Sequence, residues 1–166
     1  MLTFFRSTRL KVFGVTGFIF LATMAYAEEH AHQHGGRGAE YSLSHGKKWE
    51  TDATLRQGMD IIRQALAASQ EGIEKNRLSA QDYQRLANVV DSNVADIVKN
   101  CKLTKETDAA FHSTVLADLT QGTELMRTSP KLQAQRAGAL GVLQSLRNYG
   151  EYFQHPGWNF GAINAR

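Results

Sequence analysis

Histidines crowd the point where an export signal ends. Cleavage after Ala27 would leave a chain starting Glu28-Glu29-His30, followed by Ala31-His32-Gln33-His34. A free amine, two backbone amides and the imidazole of His30 make a planar four-nitrogen set, the geometry preferred by Cu(II) and Ni(II). His32, His34 and His45 add imidazoles nearby. Further along stand Met59, Cys101, His112 and His155. Thioether, thiolate and imidazole together form a soft donor set suited to Cu(I). A closed zinc site would draw on several cysteines, and Cys101 is the only one. Asp108 precedes His112 by one helical turn, the spacing at which a carboxylate orients a ligand imidazole.

The signal itself is well formed. Arg6, Arg9 and Lys11 make a basic n-region, Val12 to Ala22 an apolar h-region, and Ala25-Tyr26-Ala27 a small-x-small cleavage pattern. The apolar run has about 11 residues where a membrane-spanning helix needs ~20. Export to the periplasm follows, with no membrane span left after cleavage. Losing Arg6, Arg9 and Lys11 reduces the 19 Lys+Arg to 16, equal to the 16 Asp+Glu. No basic stripe then argues for nucleic acid. Residues 28–166 suit one domain, which at this size buries roughly two-thirds of its unfolded surface. A lone thiol in an oxidising compartment forms no internal disulfide, which leaves a buried hydrophobe, a metal ligand or an intermolecular bond.

These residues need elements to position them, and the apolar spacing is helical throughout. Residues 28–48, rich in His, Gly and Ser, read as a disordered leader that Trp49 docks onto the domain. Thr51 or Asp52 caps a first helix carrying Leu55, Met59, Ile62, Leu66 and Ile73 and ending near Lys75. Ser79-Ala80-Gln81-Asp82 resembles a capping box. It opens a second helix with the stripe Tyr83, Leu86, Val90, Val94, Ile97 and Cys101, which Val89 and Val98 widen. Thr104 caps a third, whose inner face is Asp108, Phe111, His112, Val115, Leu119, Gly122 and Met126. Ser129 with Pro130 at the first helical position starts a fourth, carrying Leu132, Ala139, Leu143, Leu146, Tyr149 and Phe153. Pro156 stops it soon after Gln154.

The expected class is all-α: an antiparallel up-down-up-down four-helix bundle, residues 49–166, behind a signal (1–27) and a leader (28–48). That topology puts the start of helix 1, the end of helix 2, the start of helix 3 and the end of helix 4 at one end. Met59, Cys101, His112 and His155 then converge where the leader joins, and the leader could pass an ion inward. Each donor also has an ordinary use: Met59 as core filler, His112 held by Asp108, and His155-Pro156-Gly157-Trp158 as a helix stop whose Trp covers the end.

With its methionine early in helix 1 (Leu55-Arg56-Gln57-Gly58-Met59), the chain over residues 50–154 resembles the cytochrome b562-like class of periplasmic four-helix bundles. The resemblance implies noncovalent haem b held by a methionine on the first helix and a histidine on the last. Met59 matches the first position; His155 lies beyond the end of helix 4. No Cys-x-x-Cys-His is present for covalent attachment.

Three functions follow as expectations. The leading one is a periplasmic metal-binding protein, most favourably for copper, that buffers the ion or delivers it to a periplasmic partner. Cys101, Met59 and His112 would hold Cu(I), and His30 with its neighbours Cu(II). The second is a haem electron carrier with Met59 and His112 as axial candidates. The third is a cofactor-free interaction or chaperone bundle, in which Cys101 would link a homodimer. No nucleophile–base spacing points to an enzyme, and Gly35-Gly36-Arg37-Gly38 follows no strand, as a phosphate loop would.

Overall fold

The helices begin where short polar side chains satisfy the free N–H groups of a first turn. A computed structural model describes residues 43–160. In it α1 (Ala53–Glu74) is capped by Asp52, whose carboxylate accepts from Leu55 N–H at 2.7 Å. α2 (Ala80–Asn100) opens on a complete capping box between Ser79 and Asp82, and Cys101 closes it. α3 (Lys105–Phe111) is capped by Thr104. It runs into a π-helical turn, His112–Leu116, and on without interruption into α4 (Ala117–Thr128). α5 (Leu132–Tyr152) completes four helical rods. The chain is thus all-helical among the described residues apart from isolated bridges. No described helix is long and apolar enough to cross a membrane.

The apolar stripes meet in one core. α1 supplies Leu55, Met59, Ile62, Leu66 and Ile73; α2 supplies Tyr83, Leu86, Val90 and Ile97. Phe111, Val115, Leu119 and Met126 come from the third rod, and Ala139, Leu143, Leu146 and Tyr149 from α5. α1 packs on α2 and α5, and α4 on α2 and α5. Where rods approach closely, glycine makes room: Gly58 faces Ile97, and Gly122 faces Gly138. Arg136 closes the far end of α1, donating to the carbonyls of Ile73 (2.7 Å) and Glu74 (2.8 Å), where a cation also meets the negative end of the helix dipole.

Several expectations need correction. α5 does not start at Ser129-Pro130; its N-cap is Lys131, with no side-chain cap, and Gln135 instead donates to the Ser129 carbonyl at 3.0 Å. Leu132, as the first residue of α5, stays 47% exposed. Val98 lies outside the α2 stripe at 54% exposed. His112 and Asp108 do not face inward: their side chains are 52% and 50% exposed. Phe111 is buried between them, and the π-turn then inserts an extra residue, so that Thr114, Val115 and Leu116 are buried in succession. Order also reaches back past Trp49, because Ser44 and Lys47 close a turn through His45 and Gly46, both at positive φ. The signal, most of the leader and His30, His32 and His34 lie outside the described residues.

Candidate functional site

Three segments meet at the start of α1. Trp49 N–H donates to the Tyr152 carbonyl at 2.8 Å and Gln154 N–H to the Trp49 carbonyl at 2.8 Å, forming a parallel bridge. Thr51 Oγ1 and Lys48 Nζ add bonds of 2.5 Å to the carbonyls of Gln154 and Gly150. On the other side the second oxygen of Asp52 accepts from Lys102 N–H. One carboxylate therefore caps α1 and ties it to the link after α2. The same lead-in segment shares a groove of about 530 Å³ with Thr104, Glu106 and Thr107 at the start of α3; His45 lines it, exposed.

Cys101 sits in this region, half-buried and without a disulfide. Burial pushes its thiol up, and the carboxylates of Asp52 and Asp108 push it further in the same direction. Asp108 in turn stands 3.7 Å from His112 Nε2. The same carboxylate thus raises the thiol and lies beside the exposed imidazole. Met59 is different: it is fully buried in the core. The two haem-axial candidates therefore have opposite settings, Met59 sealed inside and His112 turned outward.

His155 is the most tightly held of the described histidines. α5 ends at Tyr152, Phe153 is extended, and the following residues fold back over α1. The His155 side chain is only 5% exposed. Its Nδ1 lies 3.1 Å from the Tyr149 hydroxyl, and its Nε2 lies 3.3 Å from Asp60 Oδ2. The Tyr149 phenol is pushed up by burial, stays protonated and can donate to Nδ1. That leaves the proton of the neutral ring on Nε2, aimed at Asp60. Burial lowers the His155 pKa and outweighs Asp60, which raises it. The other carboxylate oxygen, Asp60 Oδ1, pairs with Arg63 at 3.1 Å. The Arg63 guanidinium also covers the Trp158 ring at 5.5 Å, and Trp158 packs on His155 and Tyr149. Gly150 allows this packing, because any Cβ there would strike Trp158. The buried Trp158 Nε1 has no hydrogen-bond partner.

His155 and Asp60 line an open groove of about 610 Å³ together with Glu50, Arg56, Gln57, Gln64 and Gln154. Asp60 and Arg63 were not legible as site residues. Only the i, i+3 spacing of Asp60 and Arg63 hinted at a pair, and nothing local joins Asp60 to His155. Among the described residues, no group of three or more His, Cys, Asp or Glu side chains is placed to hold a metal ion. Comparison with family models, curated proteins and solved structures returns no match for this chain.

Proposed function

We propose that this chain is an exported, periplasmic metal-binding protein, with copper the leading ion, that buffers the metal or hands it to a partner. One observation carries the reading: the segment leading out of the leader is bonded both to the link beside Cys101 and to the residues before His155. The links beside Cys101 and before His155 would share one end in an antiparallel up-down order of the four rods. In this reading His30, with His32 and His34, takes Cu(II) through the amine and backbone amides. Cys101 and His112 take Cu(I). Met59 belongs to the core and plays a packing role.

The test is a pair of titrations on the exported chain, anaerobic Cu(I) and aerobic Cu(II), each against a competing chelator. Replacing Cys101 by Ala should abolish one tight Cu(I) equivalent and leave Cu(II) uptake intact. Replacing His30 by Ala should do the reverse. Absence of both equivalents in the parent chain would refute the reading, and a Soret band in protein purified from cells would replace it with haem binding.

A further inference from the structure

We propose that a second copy of this chain docks on the outer face of α4 and α5, forming a two-fold dimer. The inference stands apart from the metal-binding reading and starts from what these two helices show to solvent. They meet backbone to backbone at Gly122 and Gly138, and outside that contact they leave a groove of about 340 Å³. Gln121 and Leu125 line it from α4, and Ala137, Gly141 and Gln144 from α5. Leu125 is 38% exposed, and Leu140, beside Gly141 in the chain, 37%. Between Leu132 and Leu146 α5 holds a single charged residue, Arg136, whose guanidinium is bound to the carbonyls that end α1. On α4, Glu124 and Arg127 turn the other way, Arg127 pairing with Glu124 and with Asp91 of α2. By contrast, α2 exposes Arg85, Asp96 and Lys99. A surface with exposed leucines and almost no charge marks an interaction face.

The charges at its two ends identify the occupant. Residues advance along α4 as they recede along α5, because Gly122 meets Val142 while Leu125 and Met126 meet Gly138. Asp118, one turn before Gly122, lies at one end of the groove. Lys131, two turns before Gly138, stands exposed beyond the other end, at the N-cap of α5. At 1.5 Å per residue they lie about 6 Å and about 10 Å from the glycine contact, on opposite sides of it. A two-fold axis crossing near Ala137 therefore brings each Asp118 to Lys131 of the partner subunit, twice over. No side chain caps α5 at that point, so its first turn also offers the carboxylate the positive end of the helix dipole. The face is thus complementary to itself: apolar in the middle, negative at one end, positive at the other. Two rods about 10 Å wide, over about 20 Å of length, make a small interface, so the dimer exchanges with monomer at micromolar concentrations.

The experiment is sedimentation equilibrium on the exported chain, from micromolar to submillimolar concentration, with reductant and a metal chelator present. These remove association through a Cys101 disulfide or a bridging metal, so failure here leaves the copper reading standing, and failure of the copper titrations leaves this result intact. A reversible monomer–dimer equilibrium is expected. Leu140→Glu should weaken it about tenfold or more, and so should Lys131→Glu, which sets like charges opposite each other. Combining Asp118→Lys with Lys131→Glu should restore the parent's association. Val98→Glu, at an exposed apolar position of α2, should change nothing. Circular dichroism and melting curves should match the parent throughout, because none of these side chains is buried in the core. A monomeric parent would overturn the proposal and give the face to residues 28–42 or to a different protein. A dimer that survives Leu140→Glu, or a charge-swapped double variant that stays weak, would overturn it as well.

Discussion

Gly122 and Gly138 oppose each other so closely that a methyl on Gly122 would come within 2.6 Å of the Gly138 carbonyl oxygen, and one on Gly138 would strike the Gly122 carbonyl in turn. The obstacle is backbone, which cannot rotate away as a side chain can. Alanine at either position gains about 1 kcal/mol of helix propensity. It also forces α4 and α5 apart, and overpacking of this kind costs about 1–3 kcal/mol. Both variants should therefore unfold at lower urea concentration than the parent. Gly141, on the same helix, meets nothing within 4 Å. Gly141→Ala should raise the urea midpoint by the equivalent of about 0.5–1 kcal/mol. A stabilising Gly138→Ala would mean that the rods do not approach as described.

His155 makes stability depend on pH in a defined window. Its pKa is depressed from 6.5, burial being the largest cause. As the pH falls, the unfolded chain takes up the proton first. The contribution is therefore complete above about 6.5 and is lost as the pH drops from there through the folded-state value. Arg56 and Arg63 oppose the protonated ring and Asp60 favours it, so the groups facing it are of both signs. Urea midpoints measured from pH 7.5 down to 5 should fall in the parent and fall less steeply in His155→Gln. Equal slopes would place the titration elsewhere.

The Cys101 thiol should react slowly at neutral pH. Burial, Asp52 and Asp108 all act against its thiolate, and only the thiolate attacks an alkylating agent. Iodoacetamide labelling followed against pH should show a midpoint above the ordinary thiol value of 9.0. Asp108→Asn should shift that midpoint down and speed labelling severalfold at fixed pH. An unchanged profile would mean that Asp108 does not act on the thiol and that burial and Asp52 set it.

What could be read before the fold was known divides along physical lines. The caps at Asp52, Ser79–Asp82 and Thr104 were legible because a cap is a local exchange of hydrogen bonds over three or four residues. The apolar stripe of α1 was legible because a period of 3.6 survives along an uninterrupted helix. In the third rod the same reading placed Phe111, Val115, Leu119, Gly122 and Met126 correctly but took in Asp108 and His112, which stand outward beside Phe111. The start of α5 was missed because Gln135, a turn inside the helix, reaches back to Ser129. The partnership of His155 with Asp60 was out of reach for another reason. It forms only once the residues after α5 have folded back across α1, and no periodicity records that path.

The parallel bridge between Trp49 and Phe153 has a mechanical consequence. In a parallel pair, the chain enters one strand and leaves the other at opposite ends. Tension between the leader and the residues following the bundle therefore runs along the bridge in shear. The Trp49–Tyr152, Gln154–Trp49 and Thr51–Gln154 bonds bear it together instead of opening one after another. The helices behind them are shielded from the load, so a tail tugged by a surface or a partner would strain its fastening before it unwound the bundle.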